Sequence, residues 1–169
     1  MSATDPTEAL VARLAAALVA RRATIAAAES CTGGLIAAAC TSRAGSSAWF
    51  ERGVVSYSNA AKRELLDVPP GLIEAHGAVS AEVARAMAEG ALARSPATYA
   101  VAVTGIAGPD GGTPTKPVGT VWIATCARDR AAAEAVLLQA AGDRAEVRAR
   151  SVTRALELLL ARVEASPLT

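Results

Sequence analysis

A chain of 169 residues, 52% hydrophobic and 20% charged, has the length and composition of one globular domain with a real core, which excludes a disordered segment. Its formal net charge of +1 supplies no electrostatic drive toward DNA, RNA or an anionic membrane surface. No apolar stretch is long enough to span a bilayer, and the N-terminus MSATDPTEAL lacks a basic-then-apolar export signal, so no membrane partner is expected.

In chain order, helical apolar spacing runs from Glu8 to Arg22, with Asp5 or Thr7 as the capping residue and Pro6 near the first turn. Thr24 to Ala28 reads as a short buried strand, although its alanines favour helix, and Thr32 to Ser42 reads as a helix. The β-branched and aromatic stretch Gly53 to Ser58 predicts a strand. Asn59 to Leu66 predicts a helix stopped by Pro69-Pro70, and Leu72 to Ala75 a short further turn. Ser80 caps a helix reaching about Arg94, and Tyr99 to Val103 is an apolar strand. The segment from Thr104 to Gly119 is too rich in Gly and Pro for regular structure. Thr120 to Ala127 and Glu134 to Gln139 follow as strands joined through Ala127-Arg128-Asp129-Arg130, and Gly142-Asp143 opens a last helix to about Glu164. Helices alternating with buried strands imply a layered α/β domain, and the closeness of the last two strands makes that part of the sheet antiparallel. A single domain with its core over about 8–164 is expected.

Three features carry chemical interest. The first is Ala28-Glu29-Ser30-Cys31-Thr32-Gly33-Gly34, where a strand gives way to a helix and free backbone amides favour negative charge. Ser30 there is either a nucleophile beside an oxyanion hole or a helix cap followed by two packing glycines. Cys31 is the rival nucleophile, since a thiolate at a helix start is activated, and it is equally a buried packing residue. The second feature is the scarcity of lysine. Of 17 basic residues only Lys62 and Lys116 are lysines, and a lysine, unlike arginine, gives up its proton when buried. Lys62 stands beyond the strand that carries Tyr57, a position from which it serves Ser30 as a base or lies solvated on a helix. His76, the only histidine, fits a helix end better than a triad.

The third feature is the Gly/Pro loop itself, a binding or lid element in compact domains. Its Gly105, Gly108, Gly111 and Gly112 offer backbone amides to a phosphate, with Lys116 adding charge. Arg144 opens the last helix, where a cation opposes the helix dipole by about 0.3–1 kcal/mol. It is held there for a ligand anion or simply pairs with Glu146. Acidic residues are scattered and His and Cys show no ligand spacing, so no metal site is expected. Cys31, Cys40 and Cys126 lack CxxC spacing and suit reduced thiols in a cytoplasm.

Six motifs in order, AESCTGG at 28–34, GSSAWFERGVVSYSNAAK at 45–62, HGAVS at 76–80, TGIAGPDGG at 104–112, KPVGTVW at 116–122 and GDRAEVR at 142–148, resemble the C-terminal domain of the CinA (competence/damage-inducible) proteins and its stand-alone form, nicotinamide mononucleotide deamidase. The resemblance covers about residues 8–162. It implies a three-layer α/β/α sandwich with a mixed, mostly parallel sheet, commonly a homodimer, that hydrolyses nicotinamide mononucleotide to nicotinate mononucleotide and ammonia in pyridine-nucleotide recycling, without a cofactor. It places the catalytic serine and lysine on Ser30 and Lys62 and the family tyrosine on Tyr57, a third catalytic residue expected to relay or position the proton and to assist Lys62. With no N-terminal molybdopterin-binding-like domain in the sequence, the stand-alone form is expected. Cys31, Thr32, Gly33 and Gly34 are then candidates for oxyanion binding, and Thr104, Gly105, Gly108 and Arg144 for the ribose phosphate and ring of a small nucleotide substrate. A catalytically silent nucleotide-binding module, or a hydrolase of another amide, is the competing reading.

Overall fold

The computed structural model describes residues 6–129 and 132–168. Its elements are α1 (Pro6–Ala20), β1 (Ile25–Glu29), α2 (Leu35–Thr41), a 3-10 turn (Ser46–Ala48), β2 (Phe50–Val55), α3 (Asn59–Leu66), α4 (Pro70–His76), α5 (Ala81–Ala93), β3 (Tyr99–Gly105), β4 (Thr120–Ala127), β5 (Glu134–Gln139) and α6 (Arg144–Glu164). The strands form one sheet in the order β2-β1-β3-β4-β5. β1 pairs in parallel with β2 and β3, while β3–β4 and β4–β5 are antiparallel, so β4 alone opposes the common strand direction. This is the mixed, mostly parallel α/β/α sheet expected from the sequence.

The period of two along each strand sorts the core into two layers. Ile25, Ala27, Val101 and Val103 pack against Leu14 and Leu18 of α1, Ile36 of α2 and Leu156 and Leu159 of α6. Ala26, Ala28, Ala100 and Ala102 face the other way, onto Leu66 of α3 and Val83 and Met87 of α5. Alanine on that face lets the helices come close. At Gly90 in α5 the approach is extreme, because an added Cβ would stand 1.9 Å from the carbonyl oxygen of Leu66. Among the described residues no helix is long and apolar enough to cross a membrane.

Three boundaries differ from the sequence expectation. α2 begins at Leu35 and not at Thr32, because Gly33 and Gly34 take φ values of +56° and +100° and a right-handed helix cannot start through them. β2 runs over Phe50–Val55, earlier than expected; as an edge strand paired with β1 alone it accommodates Glu51 and Arg52, whose polarity hid it. Thr7 lies inside the first turn of α1 and is not its cap, and Asp5, the other capping candidate, lies outside the described residues, as does Arg130 of the β4–β5 connection.

From β1 the chain crosses through α2 to β2 on one side, and after α3, α4 and α5 it returns as β3 on the other. A crevice at the ends of two such diverging strands is where ligands bind in open α/β sheets. Ser30 follows β1 directly, and Thr104 and Gly105 end β3.

Candidate active site

The Ser30 turn is held from several directions. The Ser30 amide donates to Val103 O (3.0 Å) and the Gly33 amide to Ser30 O (3.0 Å). The carboxylate of Glu29, fully buried at the end of β1, accepts from the amides of Gly34 (3.1 Å), Ile36 (3.0 Å) and Ala37 (2.9 Å). It satisfies the first turn of α2 and places negative charge at the positive end of that helix. On the far side of the turn, Arg148 of α6 donates through Nε to Cys31 O (3.1 Å) and through Nη2 to Thr32 O (3.2 Å). Among the described residues, the amides of Cys31 and Thr32 have no oxygen acceptor.

Lys62 enters from α3. Ser58 caps that helix by accepting from the Ala61 amide (3.0 Å), which sets Lys62 just inside the first turn and facing β1. Its side chain is 1% exposed, and its Nζ lies 3.0 Å from Ser30 Oγ, 2.9 Å from Ser56 O and 3.2 Å from Tyr57 O. Burial pushes the Lys62 ammonium below the ordinary lysine value, against a smaller opposing effect of the neighbouring Cys31. A neutral amine has two hydrogens and one lone pair. With both hydrogens on the Ser56 and Tyr57 carbonyls, the lone pair is left for the hydroxyl of Ser30. Burial also pushes the Cys31 thiol up to about 11, so Cys31 stays a thiol near neutral pH and is no activated rival to Ser30.

A cleft of about 280 Å³ opens over this pair. Ser30, Cys31, Tyr57, Asn59 and Lys62 form one side of it, and Thr104, Gly105, Gly108, Asp110, Gly111 and Arg144 line the other, with Ala78 and Val79 between. Arg144 donates from Nη1 to Gly108 O (2.7 Å) and from Nη2 to the Tyr57 hydroxyl (3.1 Å), joining the Gly/Pro loop to the strand side of the cleft. Its alternative partner Glu146 instead forms a capping box with Asp143, which relieves the cost of a cation at the start of α6. Tyr57 touches Lys62 through its carbonyl, while its phenol is 60% exposed at the rim.

The candidates not brought to the cleft are equally informative. Gly33 and Gly34 do not line it, and their amides are engaged within the turn, which their positive φ values shape. Thr32 is fully buried outside the cleft lining. Thr104 lines the cleft, but its hydroxyl donates to Ala78 O (2.9 Å). Lys116 adds no charge there: its Nζ donates to His76 O (2.8 Å) at the end of α4. His76 is that helix's last residue and lies outside the cleft lining, as its sequence context indicated. Among the described residues no group of three or more His, Cys, Asp or Glu side chains is placed to hold a metal ion. Glu29, Arg148 and the Ser56 carbonyl were not among the sequence candidates. The one available signal was Glu29 itself, since a carboxylate closing a buried run of alanines must find partners.

The sequence profile of the CinA C-terminal domain matches residues 7–163. The chain belongs to the CinA C-terminal domain family. This family member is 53% identical over 156 residues to the nicotinamide-nucleotide amidohydrolase PncC of Pseudomonas putida, an alignment covering 92% of this chain and 96% of that protein. It is 58% identical over 135 residues to a CinA-like protein of Mycolicibacterium vanbaalenii, covering 80% of this chain and 32% of the relative. The chain thus spans about a third of the length of the CinA-like relatives it matches. Among solved structures, the competence/damage inducible protein CihA of Agrobacterium tumefaciens superposes with a TM-score of 0.90 at 46% identity, over 95% of this chain and 98% of that one.

Proposed function

We propose that this CinA-family domain is an amidohydrolase that converts nicotinamide mononucleotide and water to nicotinate mononucleotide and ammonia, with Ser30 as nucleophile and Lys62 as its base. The observation that carries the chemistry is the 3.0 Å approach of a buried, deprotonation-prone Lys62 amine to Ser30 Oγ. The substrate is supported by the Pseudomonas putida relative and by the family resemblance.

In this reading Lys62 Nζ takes the Ser30 proton as Oγ attacks the carboxamide carbon. The amide of Cys31, which lines the cleft, receives the developing oxyanion, an interaction whose loss typically costs about 10²–10³ in kcat. Lys62 returns its proton to the departing nitrogen, so ammonia leaves and an ester to Ser30 remains. Water then attacks that ester, giving its proton to Lys62. Collapse of the second tetrahedral intermediate breaks the ester bond, and the same proton restores the Ser30 hydroxyl as the carboxylate product departs. Arg144 holds the ribose phosphate, Tyr57 positions Arg144 at the cleft rim, and Gly105 and Gly108 keep the loop close to the substrate ring. No step draws on a cofactor.

The test is to incubate purified protein with nicotinamide mononucleotide, nicotinamide riboside, free nicotinamide and a panel of unrelated amides, measuring ammonia and the acid product together. Stoichiometric release from the mononucleotide is expected. Saturable binding of the mononucleotide without ammonia would instead identify a silent nucleotide-binding module. The family resemblance further supports a homodimer, which light scattering on the purified protein would read directly, and the buried free thiols of Cys31, Cys40 and Cys126 suit a cytoplasmic location.

A further inference from the structure

Asp110 is the only carboxylate among the residues that line the cleft over Ser30, and it is exposed there. Among the described residues its side chain has neither a hydrogen bond nor an ion pair. Arg144 lines the same cleft and grips the same loop, since its Nη1 donates to Gly108 O (2.7 Å), two residues before Asp110. Its Nη2 goes to the Tyr57 hydroxyl (3.1 Å) and not to Asp110. A guanidinium and a carboxylate therefore stand in one small cleft without pairing. The loop that carries Asp110 is closed at its base. The Ile106 amide donates to Thr120 O (2.9 Å) and the Gly119 amide to Ile106 O (2.8 Å). Gly108 has a φ of +81°, and a Cβ on it would stand 2.6 Å from Val118 Cγ1, so the turn before Asp110 is packed against the returning limb.

We propose that Asp110 is a specificity-determining residue for ring charge: with Arg144 it makes the cleft dipolar, suited to a ligand with a cationic ring and an anionic phosphate. This rests on the reading of the cleft as a nicotinamide mononucleotide site. In that substrate the ring nitrogen is bonded to the ribose and carries a permanent positive charge, while the phosphate is the anion. A cleft of about 280 Å³ keeps a bound ring within the roughly 10 Å over which 0.1 M salt leaves charges unscreened. The carboxylate thus favours the cationic ring over a neutral dihydropyridine of nearly the same shape. It also separates substrate from product. Hydrolysis turns the neutral carboxamide into a carboxylate, and the repulsion between that group and Asp110 offsets the attraction of the ring. The ring charge is unchanged as Ser30 attacks, so this contact is made equally in the ground state and the transition state. It acts on KM and leaves kcat.

The experiment measures dissociation constants by calorimetry for nicotinamide mononucleotide, its reduced dihydropyridine form and nicotinate mononucleotide, at low and at high salt. The proteins are Ser30→Ala and Ser30→Ala carrying Asp110→Asn, and ammonia release from the mononucleotide is followed in wild type, Asp110→Asn and Asp110→Glu. Asp110→Asn is expected to weaken binding of the cationic ring by about 3- to 10-fold at low salt and by less at high salt. The reduced form and the acid product should change by less than about 2-fold. KM should rise by the same factor with kcat within about 2-fold of wild type, and Asp110→Glu should restore part of the loss. Equal losses for the cationic and reduced rings would mean that Asp110 organises the loop, and no loss for either would mean that it does not meet the ring; both overturn the assignment. If wild type binds the mononucleotide but releases no ammonia, the amidohydrolase reading fails while the comparison of the two ring forms still decides Asp110. If Ser30→Ala binds neither ring form, the nucleotide site and the role of Asp110 are rejected together.

Discussion

Lys62 Nζ and Ser30 Oγ stand 3.0 Å apart although 32 positions separate them in the chain, and the same amine reaches the carbonyls of Ser56 and Tyr57. The carbonyls fix the amine's orientation. The burial that removes it from water lowers its proton affinity. In the proposed mechanism these two effects make Lys62 a base directed at the hydroxyl of Ser30.

Catalysis should therefore depend on the proton of Lys62. The rate at low substrate is expected to rise with pH along a limb lying below the ordinary lysine value of 10.5, because the folded protein disfavours the ammonium. Lys62→Arg should lose activity by at least about a thousandfold, since a guanidinium keeps its proton across that range. A Lys62→Arg enzyme with near wild-type turnover would show that the base lies elsewhere.

The same shift predicts a pH dependence of stability. Between the lowered folded value and 10.5 the unfolded chain binds the extra proton, so stability rises with pH through that window and is complete above 10.5. The buried thiols work in the opposite sense. Cys31, Cys40 and Cys126 are pushed from 9.0 up to about 11 or 12, so their contribution is present below pH 9 and lost as pH climbs through the folded values. Denaturant melts of wild type and Lys62→Met from pH 6 to 10 isolate the lysine by difference. The wild type should gain stability relative to the variant as pH rises, and a constant difference would show that Lys62 is not held deprotonation-prone.

Arg144 ties Gly108 O to the Tyr57 hydroxyl at the cleft mouth, and in the proposed mechanism it holds the ribose phosphate. Arg144→Ala should raise KM for nicotinamide mononucleotide by about 10- to 100-fold, the equivalent of one charge-assisted hydrogen bond of about 1.5–3 kcal/mol. With the phosphate-free riboside the same variant should change KM by less than about 3-fold. Equal losses on both substrates would mean that Arg144 organises the loop and does not bind phosphate.

Glu29 is a further point of sensitivity. Replacing it with glutamine keeps the volume but turns an NH₂ toward backbone donors now facing Oε1 or Oε2. Leaving one such buried amide unsatisfied costs about 1–3 kcal/mol, so Glu29→Gln should lower Tm by several degrees. An unchanged Tm would indicate that water replaces the carboxylate at the start of α2.

The parts of this architecture written in local pattern were legible in the sequence. β4 and β5 are apolar runs bounded by turn residues, and Thr120–Ala127 and Glu134–Gln139 stand where their composition places them. The Ser80 cap and the Asp143 cap of α6 were readable for the same reason, because capping is a contact within four residues. β2 was displaced because an edge strand carries polar residues that mimic a loop, and α2 because positive φ at Gly33 and Gly34 is a property of the folded turn. At the site, Ser30, Lys62 and Arg144 were recognisable as chemical types at suggestive places. Rarity of lysine drew attention to Lys62 and Lys116 alike, yet only Lys62 reaches the cleft, since Lys116 ends on the His76 carbonyl. Glu29 and Arg148 escaped notice because their partners are backbone amides and carbonyls, which carry no side-chain signature in a sequence.

The central claim, a Ser30 nucleophile driven by Lys62, is tested most directly by ammonia release from nicotinamide mononucleotide by Ser30→Ala, measured beside wild type at equal folded concentration. The account predicts a loss of at least about a thousandfold with binding of the mononucleotide retained. Turnover by Ser30→Ala at the wild-type rate would contradict it.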